Sequence, residues 1–184
     1  MTLICELSRA KPGERLRLYG LYLRAFPPRE RKPFGTIVRM AKEGRADLWT
    51  IRMDGRFAGL AAAVNGPNMV LLDYFAVRKT LRGRGVGSAA LRMLMERYRD
   101  RGFFVEIEST REEAANRTER EKRKRFYVNC GLEPMDTEVD IFGVRMELLG
   151  VRCHLDFEGY CKFYREHYNP RVAEHIRPVK EEKP

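Results

Sequence analysis

The chain has 184 residues, of which 43% are apolar and 34% charged, with a formal net charge of +10. This length buries a sizeable core without staples, and no apolar run reaches the roughly 20 residues that cross a bilayer, so neither a disulfide-dense miniprotein nor a membrane-spanning chain is expected. Charges at Glu6, Arg9 and Lys11 interrupt any leader pattern, and Cys5, Cys130, Cys153 and Cys161 lack Cys-x-x-Cys spacing, so reduced thiols and a cytoplasmic location are expected. A zinc site from these cysteines and His154, His167 and His175 ranks below that reading, and no metal is expected.

In chain order, Thr2 to Leu7 reads as an edge strand and Lys11-Pro12-Gly13-Glu14 as a helix start. Leu16, Tyr19, Tyr22, Leu23 and Phe26 recur at helical spacing, which predicts that this face meets a core. Pro27-Pro28 ends the helix, and a second runs to about Lys42 with Gly44 as its stop. Ala46 to Met53 and Arg56 to Val64 flank Asp54-Gly55, a two-residue hairpin turn. Met69 to Val77 supplies the next strand. After a glycine-rich turn, Leu91, Leu94, Met95 and Tyr98 give a helix its buried stripe, with Gly102 as terminator. Phe103 to Glu108 alternates apolar and acidic residues as a strand does. Glu138 to Leu149 reads as a closing hairpin. Asp156 to Tyr168 carries Phe157, Tyr160, Cys161 and Tyr164 at helical spacing, which predicts a short amphipathic helix packed on the domain or on a partner. Asn169-Pro170 ends it, and Pro178 to Pro184 is expected to be disordered.

The most informative stretch is Leu72 to Val77, then Arg82-Gly83-Arg84-Gly85-Val86-Gly87-Ser88, then Ala89-Ala90-Leu91. A strand enters a basic, glycine-rich turn that opens a helix. Three glycines on alternate positions let the backbone approach a ligand and expose successive N–H groups. The first helical turn adds unpaired donors and the positive end of the helix dipole, an arrangement suited to phosphate. A nucleotide P-loop would need Lys after the last glycine, and a dinucleotide fingerprint would need Gly-x-Gly-x-x-Gly. Neither is present.

What stands here, Arg82-x-x-Gly85-x-Gly87, resembles the acyl-CoA signature of the GNAT acetyltransferase superfamily, (Gln/Arg)-x-x-Gly-x-(Gly/Ala). Phe126-Tyr127-Val128-Asn129-Cys130-Gly131-Leu132 resembles its second hallmark, an aromatic or Leu residue before Tyr-x-x-x-Gly-Phe. The order and spacing of the intervening strand agree. The resemblance covers roughly residues 1–150, with motif identity confined to about 69–132. It implies an α/β (α+β) fold: a mixed, mostly antiparallel, twisted sheet of about six to seven strands flanked by helices, with strands 4 and 5 splayed to admit acetyl-CoA and an extra C-terminal helix. The expected organisation is an acetyltransferase domain over 1–150 and a helical extension over 151–184.

The resemblance also implies roles. Backbone groups of Phe75, Ala76 and Val77 would pair with pantetheine, and a strand N–H would face the developing oxyanion. Arg82, Gly83, Arg84, Gly85, Val86, Gly87 and Ser88 would hold the pyrophosphate. Tyr127 would approach the cofactor sulfur and protonate the leaving thiolate; a core tyrosine with a satisfied hydroxyl is the alternative. Val105-Glu106-Ile107 resembles the Leu-Glu-Val of members that acetylate protein N-termini, with Glu106 as base through water. Glu108 and Asp73 are its rivals, and an arginine-paired sheet carboxylate is the bland alternative. Two features depart from the pattern. Arg120 stands where many relatives place a cofactor-contacting Asn, and the stretch Ser109 to Arg123 is long.

The function so implied is acetyl-CoA-dependent N-acetyl transfer to a primary amine by direct attack in a ternary complex; no cysteine occupies a transfer position. A catalytically inactive acyl-CoA-binding sensor or assembly module is the competing class. Nucleic acid ranks below CoA as the partner for the charge, because Glu119 and Glu121 interleave the densest basic run and no aromatic platform accompanies it. A homodimer stays open. Small amines, amino acids and peptide N-termini all remain as acceptors, with Asp73, Glu106, Glu108, Asp136, Glu138 and Asp140 able to form an acidic entrance.

Overall fold

The computed structural model describes residues 4–179, a mixed α/β protein with an eight-stranded sheet flanked by helices. The described residues gather into two compact units, residues 4–65 with 71–99, and residues 66–70 with 100–179.

In the first unit the strands follow the order β1-β2-β3-β4. β1 (Cys5–Arg9) pairs antiparallel with β2 (Ala46–Met53), and β2 with β3 (Arg56–Asn65). Asp54 and Gly55 both take positive φ at the tip of the β2–β3 hairpin, as a two-residue turn of matching twist requires. Thr2 and Leu3 of the predicted edge strand lie outside the described residues, and β1 continues to Arg9. β4 (Met69–Val77) has the predicted bounds. Gly59 is required for close approach: a Cβ there would stand 2.4 Å from the Ala76 carbonyl oxygen.

α1 (Arg15–Ala25) and α2 (Phe34–Lys42) cover a cluster that includes Leu18, Leu21, Tyr22, Ile37, Leu48, Leu60 and Tyr74. The predicted helix face is met in part: Tyr22 is buried and Phe26 packs against this cluster, while the other members of that face are not buried. Leu16 is 84% exposed, and Tyr19 and Leu23 are also exposed. Two apolar stripes compete on α1, and the one through Leu18, Leu21 and Tyr22 faces the sheet. α3 (Val86–Arg97) packs Val86 and Ala90 against Ile51, Ala58 and Val77. The predicted stripe Leu91, Leu94 and Tyr98 is buried, whereas Met95 is half-buried. The helix is capped at Tyr98, and Gly102 opens the following strand rather than ending the helix.

In the second unit the order is β5-β7-β6-β8. β5 (Gly102–Glu108) pairs antiparallel with β7 (Val144–Val151), which forms the predicted hairpin with β6 (Glu133–Ile141). α4 (Arg117–Asn129) precedes that hairpin. α5 (Phe157–Phe163) continues into a π-helical turn, Tyr164–Tyr168, and Asn169 then caps α6 (Pro170–Ala173). A three-residue strand, β8 (Ile176–Pro178), pairs with β6 and raises the strand count above the expected six to seven. Pro178 therefore belongs to a strand, and the predicted disordered end from residue 180 lies outside the described residues. Among the described residues no helix is long and apolar enough to cross a membrane, and the four cysteines are free thiols.

Candidate active site

The glycine turn belongs to the first unit. After β4, a single 3-10 turn at Lys79–Leu81 leads into Arg82, whose Nε donates to the Val77 carbonyl at 3.0 Å. This bond ties the turn to the strand end. Gly83 and Gly85 take φ of +74° and +79°, the left-handed region, and a Cβ on either would meet no atom within 4 Å. The cradle is therefore open. Gly85 is the N-cap of α3, and the first bond inside the helix runs from the Ala89 N–H to the Gly85 carbonyl at 2.9 Å. Among the described residues the N–H groups of Gly83, Arg84, Gly85, Val86, Gly87 and Ser88 have no backbone acceptor. Six successive unpaired donors, at the positive end of a 12-residue helix, fit an anion such as a pyrophosphate. Phe75 is half-buried, and Ala76 and Val77 are buried on the strand that feeds this turn.

The predicted reacting residues fall in the second unit. Tyr127 lies one residue inside the last turn of α4 and is 9% exposed. The chain leaves the helix through Gly131, φ +100°. The Leu132 N–H bonds the Tyr127 carbonyl at 3.2 Å and the Gly131 N–H bonds that of Val128 at 2.9 Å. This paired closure needs a left-handed residue at position 131, which explains the glycine four residues after the tyrosine. The Tyr127 ring meets Phe126 edge-on at 5.2 Å, and its hydroxyl is not among the buried polar atoms left without a partner. Burial pushes the phenol up to about 12, against a smaller lowering by Arg123. It therefore stays protonated across any working pH and remains a donor.

Glu106 on β5 accepts from two phenols of the C-terminal segment. Tyr160 Oη is 2.7 Å from Oε1, and Tyr164 Oη is 2.8 Å from both carboxylate oxygens. Its rivals carry cations instead. Glu108 accepts from Asn116 at 3.1 Å and from Arg120 at 3.3 Å, and in the first unit Asp73 pairs with Lys32 at 2.5 Å. Glu138, assigned to the acidic entrance, is likewise held between Arg111 and Arg145 at 3.0 and 2.5 Å. Asp140 accepts from the Gly143 N–H at 2.8 Å, and Asp136 is exposed.

Arg120, the departure from the family pattern, is committed to its own unit. It donates to Asn116, to the Ser109 carbonyl and to Glu108, at 2.9 to 3.3 Å. Asn116 is thereby tied between Glu108 and Arg120, and these bonds anchor the long connection between β5 and α4. Neither Tyr160 nor Tyr164 was assigned a site role from sequence. Their signal in the sequence is a pair of tyrosines four residues apart on an amphipathic helix expected to pack on the domain or on a partner.

The turn thus presents amides suited to an anion at the start of α3, and Tyr127 stands near the end of the next helix. The model of the acetyltransferase (GNAT) family matches residues 15–131, and the chain belongs to that family. Among solved structures it resembles a GNAT-family protein of Bacteroides thetaiotaomicron at TM-score 0.72 and 20% identity, over 89% of this chain and 98% of that one. The ribosomal-protein-S18-alanine N-acetyltransferase of Escherichia coli follows at TM-score 0.62 and 16% identity, over 84% and 97%. Naa50 of Arabidopsis thaliana, in complex with the bisubstrate analogue CoA-Ac-MVNAL, superimposes at TM-score 0.63 and 14% identity, over 81% and 99%. No curated protein matches the sequence.

Proposed function

We propose that this protein is an acetyl-CoA-dependent N-acetyltransferase that passes the acetyl group directly to a primary amine, the α-amine of a polypeptide N-terminus being the favoured acceptor. The observation that carries the reading is the run of six unpaired N–H groups at Gly83 to Ser88 within a family acetyltransferase domain. Those amides would hold the pyrophosphate, with Arg84 adding charge. The backbone of Phe75, Ala76 and Val77 would pair with the pantetheine arm, and a strand N–H would stabilise the developing oxyanion, a contribution of roughly 3 kcal/mol in acyl-transfer enzymes.

Glu106 takes a proton from the incoming ammonium through water, and the freed amine attacks the thioester carbonyl carbon. As the carbon–sulfur bond breaks, Tyr127 gives its proton to the thiolate, the second proton on the attacking nitrogen passes through water to the phenolate to leave the neutral amide, and Glu106 returns its proton to solvent. A buried phenol near 12 is a weaker acid than a CoA thiol near 8.5, so Tyr127 donates only as negative charge gathers on sulfur. The choice of acceptor is supported by the Val105-Glu106-Ile107 resemblance and by the likeness to a ribosomal-protein alanine N-acetyltransferase and to an enzyme in complex with a bisubstrate analogue that joins CoA to a peptide.

The experiment is release of free CoA from acetyl-CoA with peptides that begin in Ser, Ala or Met, alongside the same peptides already blocked at the α-amine. Turnover with open peptides and none with blocked ones is the expected result. Turnover that ignores the block, or that appears only with small amines, removes the N-terminal acceptor.

A further inference from the structure

We propose that Tyr160 and Tyr164 are positioning residues for Glu106, which makes the C-terminal helix part of the catalytic apparatus. The inference rests on the reading of Glu106 as base. Its own ground is geometric. Two phenols, 54 and 58 residues away in sequence, converge on one carboxylate, three contacts in all at 2.7 to 2.8 Å.

The arrangement is more than packing requires. Tyr160 is fully buried and Tyr164 is 3% exposed, with their rings 4.9 Å apart and Tyr160 edge-on to Phe104 at 6.5 Å. Phenylalanine would fill that space without burying a hydroxyl, and a buried hydroxyl is costly unless it is bonded. Here both hydroxyls have an ionisable acceptor, and charge-assisted bonds of this kind are stronger than neutral ones.

The helix is fixed so that it can aim these groups. The Asp156 side chain caps it by accepting from the Gly159 N–H at 2.7 Å, and the Leu155 carbonyl just before it accepts from Thr137 of β6 at 2.6 Å. Tyr160 and Tyr164, one helical turn apart, lie on one face. The backbone widens into the π-helical turn at Tyr164 itself, and such turns recur at functional sites. The chemistry follows from the type of donor. Glu108, Glu138 and Glu147 are oriented by arginine or lysine, which fixes the carboxylate and also cancels its charge. The two phenols instead fix both oxygens of the Glu106 carboxylate through hydroxyl donors that carry no formal charge of their own.

The test is a mutant cycle on the full chain, with acetyl-CoA and the Ser-, Ala- or Met-initiated peptide that wild type turns over. Tyr160→Phe and Tyr164→Phe keep the rings and remove one hydroxyl each. Each should lower kcat by about 10- to 100-fold, as expected when a reacting group loses its alignment, with KM for acetyl-CoA unchanged. In a Glu106→Gln background the same substitutions should cost nothing more, because residues acting as a unit are not additive. Thermal unfolding checks that each variant is folded, and the single variants carry the comparison if the double variant is not. Wild-type kcat in both single variants, or an equal fold-loss with and without Glu106, overturns the inference. Full activity of Glu106→Gln alone instead overturns the base assignment beneath it, as does absence of turnover with all three peptides.

Discussion

The glycine turn of the first unit and the Glu106 cluster of the second reach a similar end by opposite routes. In the turn, seven consecutive residues make the feature: two left-handed glycines, a strand before them and a helix after them. In the cluster, a strand carboxylate and two helix phenols come from positions more than 50 residues apart. The first is specified by local backbone chemistry, the second by tertiary packing of a tail segment. A substitution in the turn should therefore act on binding alone, whereas one in the second unit should separate chemistry from binding.

The largest effect is expected at Tyr127. Tyr127→Phe should lower turnover by about 10²–10⁴-fold, the usual range for a lost general acid, while calorimetric affinity for acetyl-CoA stays near wild type. Its melting temperature should stay near wild type, since the ring packing is kept and only the hydroxyl is removed. A drop in stability comparable to the loss of a buried hydrogen bond would return Tyr127 to a structural role.

Next comes the turn itself. Gly87→Glu, at the second position of α3, places a carboxylate among the amides offered to phosphate. Like-charge contact costs several kcal/mol, so acetyl-CoA affinity should weaken by at least about 100-fold in calorimetry, with the circular dichroism spectrum unchanged. Retained affinity in the folded variant would put the cofactor elsewhere.

A smaller loss is expected at the end of α4. Gly131→Ala forces a Cβ into φ +100°, a conformation that costs L-residues about 1–2 kcal/mol. Thermal unfolding should show that loss as a lower melting temperature. An unchanged melting temperature would mean that the helix end is not strained there.

The smallest effect concerns a buried carboxylate that catalysis does not use. Burial raises the Glu147 carboxyl, but bonds from Lys124 and Thr110 outweigh it and hold the group below its ordinary value. Its stabilisation is fully present above the unfolded-state value of about 4.3 and is lost as pH falls through the lower folded value. Glu147→Gln should therefore flatten the acid limb of melting temperature against pH, relative to wild type, below about pH 5. An identical acid limb in the variant would contradict this.

The same contrast explains what could be read from the sequence. β2, β3 and β4 were legible because Asp54-Gly55 fixes a turn and the apolar runs fix the strands on either side. The turn at residues 82–88 was legible because its conformation depends on the glycines themselves. α1 was not read correctly, since two apolar stripes share its sequence and only the sheet decides between Leu16 and Leu18. β8 is three residues long and exists through its pairing with β6, so no local pattern announced it. For the site, Tyr127 and Glu106 could be named from motif position. The Tyr160 and Tyr164 contacts could not, because a helical stripe of tyrosines looks the same whether its hydroxyls meet a carboxylate or solvent. Nor could the ion pairs of Glu108 and Asp73, since Arg120 and Lys32 lie 12 and 41 residues away in the chain.

The central claim, direct acetyl transfer from acetyl-CoA to an amine, is tested most directly by initial velocities with acetyl-CoA and a Ser-, Ala- or Met-initiated peptide varied together. Mass spectrometry would count acetylated peptide against CoA released. The account predicts intersecting double-reciprocal lines and one acetylated α-amine per CoA, as a ternary complex requires. Parallel lines with acetyl-enzyme accumulation would mark a covalent intermediate, and tight acetyl-CoA binding with no acetylated peptide would mark a binding module; either result contradicts the account.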